Sequence, residues 1–349
     1  MTTEPDPTLQ NETPKKRKDL KRFFKDPIDF VHDASGITLR SYQVEVMRAV
    51  IESVIRHQGL TFVVMFPRQS GKNELQAQIE AYLLAVLDKE EAEIVKVSPT
   101  WKPQSLNAMR RLERTLKKNS TKKNRWRKES GYIYRLGEAR VFFLSGSPET
   151  NIVGATASTL LEVDEAQDVE MAKYDKDIAP MAVSTNATRV FWGTAWTSRT
   201  LLARELRAAK LAQRKDKITR VFVRKGNEIA KEVPAYARSL EEQVNRLGRN
   251  HPMIKSQYFS EEIDAEGGMF PERRVKMMMP TFSTPPNVAH LGEVPKAEGV
   301  KTYALLIDVA GEDEQSSERG RWYDEELKNP GRDSTALTVV EVDTGTVAD

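Results

Sequence analysis

The chemistry this sequence offers is concentrated in two short segments. In the first, Phe62-Val63-Val64-Met65-Phe66 runs into Pro67-Arg68-Gln69-Ser70-Gly71-Lys72-Asn73. An apolar strand, a turn and a helix start, in that order, build an anion site. Backbone N–H groups converge at the helix N-terminus, glycine admits a close approach and lysine neutralises terminal phosphate oxygens. Gly71 and Lys72 fill the last two roles, and Pro67, Arg68, Gln69, Ser70 and Asn73 complete a candidate nucleotide-binding loop. The general pattern G-x-x-x-x-G-K-[ST] is broken twice. Phe66 stands where the first glycine belongs, and Asn73 replaces the hydroxyl residue that ligates Mg²⁺. On this segment alone, a phosphate loop and a plain strand-to-helix turn are equal readings.

The second segment, Thr159-Leu160-Leu161-Glu162-Val163-Asp164-Glu165-Ala166-Gln167-Asp168, resolves the tie. An apolar strand closing on Asp164-Glu165 sets two carboxylates at the carboxyl edge of a parallel sheet, where open α/β folds bind ligands. In an ATP hydrolase Asp164 holds the Mg²⁺, directly or through water, and Glu165 polarises the attacking water. Asp-Glu-Ala by itself is an ordinary solvated turn; its order and separation from residues 68–72 favour an ATPase. Two smaller features fit the same site. Gln43, in Leu39-Arg40-Ser41-Tyr42-Gln43, carries an amide suited to reading adenine, while Tyr42 reads as core on an amphipathic helix. Thr194 closes the strand Val190-Phe191-Trp192-Gly193 and is suited to sensing the γ-phosphate, an ordinary strand exit being the equal alternative.

The elements that must position these groups alternate. Tyr42, Val46, Val50 and Val54 recur every four residues and predict a helix. Strands are predicted at 61–66, 93–98, 140–144, 159–164, 188–193 and 218–223. Helices are predicted at 73–87, 103–118 (Leu106, Met109, Leu112 and Leu116 on one face) and 199–213. This alternation predicts an α/β fold with a mostly parallel sheet and helices on both faces. The expected organisation is a disordered basic arm at 1–26, a nucleotide-binding domain at 27–263, a Gly-, Pro- and Met-rich linker at 264–300 and a further domain from 301 to 349. That last part starts with a strand at 302–309 and a hairpin partner at 334–342, separated by a charged loop at 311–332.

With 349 residues the chain can hold two cores, and 54 Lys plus Arg against 51 Asp plus Glu is nearly balanced, so the distribution of charge matters more than its sum. Eleven basic residues and one acid, Glu113, lie between Lys102 and Lys128; ten basic residues and two acids lie between Arg199 and Lys225. A charged face is usually only solvated, but two such segments beside a nucleotide site favour phosphate contact with DNA in at least one, Trp126 being less clearly involved. The absence of cysteine excludes disulfides and thiolate metal sites. The longest apolar runs are too short to span a bilayer, which predicts a soluble intracellular protein without membrane contact.

Together these segments resemble the large terminase family of tailed phages, over about residues 39–193 with a weaker echo at 302–342. That family commonly has x-R-Q-x-G-K as its phosphate loop, which Arg68-Gln69-Ser70-Gly71-Lys72 matches, so Phe66 is no objection; Asn73 still departs from the usual Ser or Thr. The resemblance implies a RecA-like P-loop ATPase using ATP and Mg²⁺. Arg68 would sense phosphate, Lys72 and Glu165 would serve catalysis, Asp164 would hold the metal and Thr194 would lie in the segment coupling hydrolysis to DNA movement. It further implies double-stranded DNA, a portal protein and a small terminase subunit as partners, a homo-oligomeric ring, and the cytoplasm of a bacterial host. In the family an RNase H-like nuclease using Mg²⁺ or Mn²⁺ follows the motor. Tyr303-Ala304-Leu305-Leu306-Ile307-Asp308 looks like its first strand, with Asp308 as a metal ligand, and one aspartate on two strands predicts an incomplete nuclease site. The alternatives are a superfamily 2-type helicase or translocase, and a nucleotide-binding protein that has lost hydrolysis.

Overall fold

A computed structural model describes residues 26–119, 125–152, 154–263, 302–308 and 336–342. The expected basic arm up to residue 25, the linker 264–300 and the polar loop 311–332 lie outside the described residues. The chain divides into two compact units, Met1–Ile263 and Asp264–Asp349.

The first unit is built on an eight-stranded sheet. Along the chain its elements are α1 (Pro27–Ser35), α2 (Ser41–Ile55), β1 (Thr61–Met65), α3 (Lys72–Val86), β2 (Glu93–Ser98) and α4 (Leu106–Lys118), followed by β3 (Trp126–Glu129), β4 (Ile133–Leu136), β5 (Ala139–Ser145) and β6 (Leu160–Val163). Short helical turns between Met171 and Ala182 lead to β7 (Thr188–Gly193), α5 (Leu201–Asp216), β8 (Val221–Val223), α6 (Gly226–Glu232), α7 (Pro234–Leu247) and α8 (Pro252–Phe259). The strand order is β3-β4-β5-β2-β6-β7-β1-β8. From β5 through β8 every pairing is parallel, and β3 and β4 add an antiparallel margin.

Strand alternation divides the apolar residues between two cores. Phe62, Val64 and Phe66 enter one core with Val46, Val50, Leu75, Ile79, Leu83, Met109 and Leu112. Val63 and Met65 enter the other, with Val95, Val97, Leu161, Val163, Phe191, Leu202 and Leu206. The helix predicted from Tyr42, Val46, Val50 and Val54 forms, and all four residues are buried.

The helix expected from 103 is present: a π-helical turn at Trp101–Ser105 runs into α4, and Lys102, ahead of Pro103, is extended at φ −113, ψ 127, as proline favours in the residue before it. Two predicted boundaries move for local reasons. The strand expected from 218 begins at Val221. Lys217 ends α5 in the left-handed region at φ 62, and Gln213 Oε1 accepts from the Arg220 and Val221 N–H groups at 2.9 and 3.1 Å, which holds the lead-in by a side chain instead of a ladder. The strand expected at 159–164 is shortened to Leu160–Val163, so both acids follow it.

In the second unit β9 (Thr302–Asp308) and β10 (Ala336–Val342) form an antiparallel pair in which Asp308 stands opposite Ala336 and Thr302 opposite Val342.

Candidate nucleotide-binding site

The phosphate-loop segment leaves β1 and reaches α3 through a tight turn. Ser70 Oγ donates to the Pro67 carbonyl at 2.7 Å, and the Arg68 N–H donates to the Gln257 carbonyl of α8 at 2.9 Å. Gly71 caps α3 at φ 94, a left-handed conformation that glycine adopts without the steric cost other residues bear. A β-carbon there would sit 2.6 Å from Gln43 Nε2, so the position requires glycine twice over. Gln69 is also left-handed, at φ 58. Arg68 and Gln69 are exposed at the loop tip, Pro67 and Ser70 are buried, and Asn73 is half-buried in the first turn of α3.

The start of α2 grips this loop from behind. Arg40 Nη1 and the Tyr42 hydroxyl both donate to the Ser70 carbonyl, at 2.9 and 2.8 Å. Gln43 Nε2 donates to the Gly71 carbonyl at 3.1 Å, while Gln43 Oε1 accepts from the Arg40 N–H at 3.0 Å. The Gln43 amide is buried and engaged at both ends, so it braces the loop. Tyr42 is core, packed edge-on against Phe66 at 5.3 Å, and in addition a hydroxyl donor. Its hydroxyl and Arg40 had no signal in the sequence beyond adjacency to Gln43.

Lys72 points back under the loop. Its Nζ donates to the Phe66 carbonyl and to Thr194 Oγ1, each at 3.0 Å, which joins the end of β1, the start of α3 and the exit of β7. Burial pushes the Lys72 ammonium below its ordinary pKa, with Glu165 and Asp164 opposing that shift by their charge. Phosphate loop, acidic pair and Thr194 therefore meet at the carboxyl edge of adjacent strands β1, β7 and β6.

At the end of β6, Asp164 is 3% exposed. Its Oδ1 accepts from Gln76 Nε2 at 2.9 Å and from the Glu165 N–H at 3.1 Å. Glu165 adopts φ 43, in a region that costs a residue with a β-carbon about 1–3 kcal/mol and that tends to be kept at functional sites. Burial raises the Glu165 pKa, and the Lys72 charge works against that rise. Gln167, a residue the sequence gave no reason to single out, ties this carboxylate to β7. Its Nε2 donates to Glu165 Oε2 at 2.9 Å and to Asp168 Oδ2 at 3.2 Å, and its Oε1 accepts from the Thr194 N–H at 3.1 Å.

Asp308 lies in the other unit, at the end of β9. Both basic segments are partly neutralised, Arg111 and Arg114 of α4 facing Glu74 at 3.1 and 3.6 Å. On α4, Arg110, Arg114, Lys117 and Lys118 are exposed, with Lys117 paired to Glu113 at 2.7 Å. On α5, Arg204 is held by both oxygens of Asp175 at 2.8 Å. Trp126 is in β3, its ring 5.8 Å from that of Tyr134.

No family model matches the sequence, and no curated protein matches it. Among solved structures, the chain is similar to the HK97 bacteriophage large terminase, with a TM-score of 0.55 at 15% identity, over 70% of this chain and 57% of that one. It is similar to the ATPase domain of the Thermus phage P74-26 large terminase, with a TM-score of 0.52 at 13% identity, over 68% of this chain and 99% of that one. The chain thus has the fold of phage large-terminase ATPase domains, and it spans little more than half the length of the HK97 protein.

Proposed function

We propose that this chain is an ATP-hydrolysing motor that moves double-stranded DNA, of the kind that fills a phage procapsid. The observation that carries the reading is the meeting of Lys72, Thr194 and the Asp164-Glu165 pair at one sheet edge, on the fold of terminase ATPase domains.

In this reading the loop's backbone and Lys72 bind the β- and γ-phosphates, with Arg68 entering from the exposed tip as charge develops on the transferred group. Glu165 takes a proton from the attacking water, and Gln167 holds its carboxylate in place. Thr194, bonded to Lys72 on one side and to Gln167 on the other, relays the state of the phosphates into β7 and α5. Asp164 fits a Mg²⁺ site: with Oδ1 occupied by two donors, Oδ2 accepts no hydrogen bond among the described residues. No three carboxylate or imidazole groups converge on a metal cage among the described residues. The ion would therefore be shared with the nucleotide's phosphates, whose charge it would help neutralise. Asn73 and Asp164 would hold it.

For DNA both basic helices offer exposed cations that pair with no acid among the described residues, Arg110 and Lys118 on α4 and Arg207, Lys210, Arg214 and Lys215 on α5. Contacts of this type are independent of base sequence and weaken with salt. The portal protein, the small terminase subunit and a ring of copies belong to the same proposal, as does a nuclease role for Asp308 with Mg²⁺ or Mn²⁺.

The experiment is ATP-dependent displacement of a third strand from a linear triplex, run beside strand separation of a forked duplex. A packaging motor displaces the third strand and leaves the duplex intact. Unwinding of the fork would assign the chain to helicases, and inactivity in both assays would refute translocation.

A further inference from the structure

The face of α3 turned toward the sheet carries polar residues where an apolar stripe is expected. Gln76 and Glu80, one helical turn apart, are both fully buried. Opposite them lie Glu162 on β6 and Asp164 just past its end, two apart in sequence, with Lys96 beside Glu162 on β2. Lys96 Nζ donates to Glu80 Oε1 at 2.7 Å, and Trp192 Nε1 donates to Glu162 Oε1 at 2.9 Å. Burying this many polar groups is costly, and breaking one connection leaves the others stranded, so such a network stabilises one arrangement above all others.

The arrangement ends at the candidate site. Gln76 Nε2 donates to Asp164 Oδ1 at 2.9 Å, with both side chains out of water. A carboxylate only accepts, so this contact fixes which end of the amide faces it. Gln76 Oε1 is buried without a hydrogen-bond partner, so among the described residues Asp164 is the group that holds the amide in this orientation. Asn73, where phosphate loops usually place a hydroxyl, makes no side-chain hydrogen bond to a described residue.

We infer that Gln76 is a positioning residue for Asp164: it occupies Oδ1 and thereby presents Oδ2 to the divalent ion of the bound nucleotide, with the Glu80–Lys96–Glu162 network holding α3 and β6 in register behind it. The inference rests on the nucleotide-site reading above and adds a residue to it. It accounts for how the site keeps its acidic ligand oriented.

The test is a Mg²⁺ titration of a fluorescent ADP analogue bound to the full chain, comparing the parent with Gln76→Met, which keeps side-chain length and removes the amide. Loss of an outer partner of a metal ligand lowers metal affinity by about 10–100-fold. The Mg²⁺ needed for half-maximal binding should rise by that factor, while binding of the analogue in EDTA stays unchanged. Introducing Asn73→Ser into Gln76→Met should recover part of the loss, which a purely structural defect would not allow. If Gln76→Met does not fold, Gln76→Asn, which withdraws the amide by one methylene, is read in the same titration. A Mg²⁺ requirement within twofold of the parent, or affinity lost equally in EDTA, overturns the inference. Failure of the parent itself to bind the analogue would instead refute the nucleotide site.

Discussion

Gly193→Ala tests the link between the Glu165 carboxylate and β7 without removing any polar group. A β-carbon at Gly193 would lie 2.3 Å from Gln167 Oε1 and 2.6 Å from Leu202 Cδ2. Ordinary contact begins near 3.4 Å, so Gln167 must retreat by about 1 Å; the fully buried Leu202 has little room to yield. Gly193 is not in the left-handed region, which leaves steric overlap as the whole perturbation. The retreat stretches the bonds of Gln167 to the Thr194 N–H and to Glu165 Oε2, now 3.1 and 2.9 Å, past useful range. A hydrogen bond to a charged group contributes about 1.5–3 kcal/mol, so the hydrolysis step should slow by roughly 10–150-fold. Overpacking should also lower stability by about 1–3 kcal/mol. Single-turnover hydrolysis of bound ATP measures the first quantity and urea unfolding the second, with nucleotide affinity measured alongside. A variant that folds and hydrolyses bound ATP within twofold of the parent rate would refute the argument that Gln167 holds Glu165.

Further outcomes follow from the same geometry. Lys72→Ala removes the cation that neutralises the phosphates and should weaken nucleotide binding as well as turnover, which equilibrium binding and steady-state kinetics separate. Arg68→Ala should slow the hydrolysis of bound ATP far more than it weakens binding, since arginine supplied to a phosphoryl transition state gives about 10³–10⁵ in rate elsewhere; unchanged turnover of bound ATP would make it a ground-state clamp. Glu113 is held below the usual carboxylate range by its bond to Lys117, with help from Tyr134 and Lys128 against its partial burial. A depressed folded-state pKa contributes stability that is present above the ordinary glutamate value and is lost as pH falls through the depressed one. Glu113→Gln should therefore be less stable than the parent at pH 7 and converge on it in acid, as urea midpoints across that range would show; a pH-independent difference would mean the charge is not the cause.

What the sequence revealed and what it hid follow from how burial is encoded. The strands at 61–66 and 93–98 and the helix carrying Tyr42, Val46, Val50 and Val54 announce themselves by apolar runs or period, since each faces a core. By contrast, β3 reads Trp-Arg-Lys-Glu and sits at the sheet margin, so its ladder bonds to β4 leave no apolar trace. The helices α6 to α8 are short or polar, with few buried residues to set a period. The opposite failure occurs on α3, where near-complete burial includes Gln76, Gln78 and Glu80, residues whose types predict exposure. The candidate site divides along the same line. Gly71, Lys72, Asp164 and Glu165 have types and spacing that state their chemistry. Arg40, Gln76 and Gln167 reach distant segments, the Ser70 carbonyl, Asp164 and the Thr194 N–H, and nothing local in the sequence marks those partners.

The central claim is that Glu165 activates water for ATP hydrolysis at a site coupled to DNA. Its most direct test is the steady-state ATPase rate of the parent and of Glu165→Gln, with and without double-stranded DNA, beside nucleotide affinity for both. The account predicts Mg²⁺-dependent turnover by the parent that rises with DNA, and a variant that binds ATP as the parent does but does not turn it over. Near-parental turnover by Glu165→Gln, or a parent rate that double-stranded DNA leaves unmoved, would contradict it.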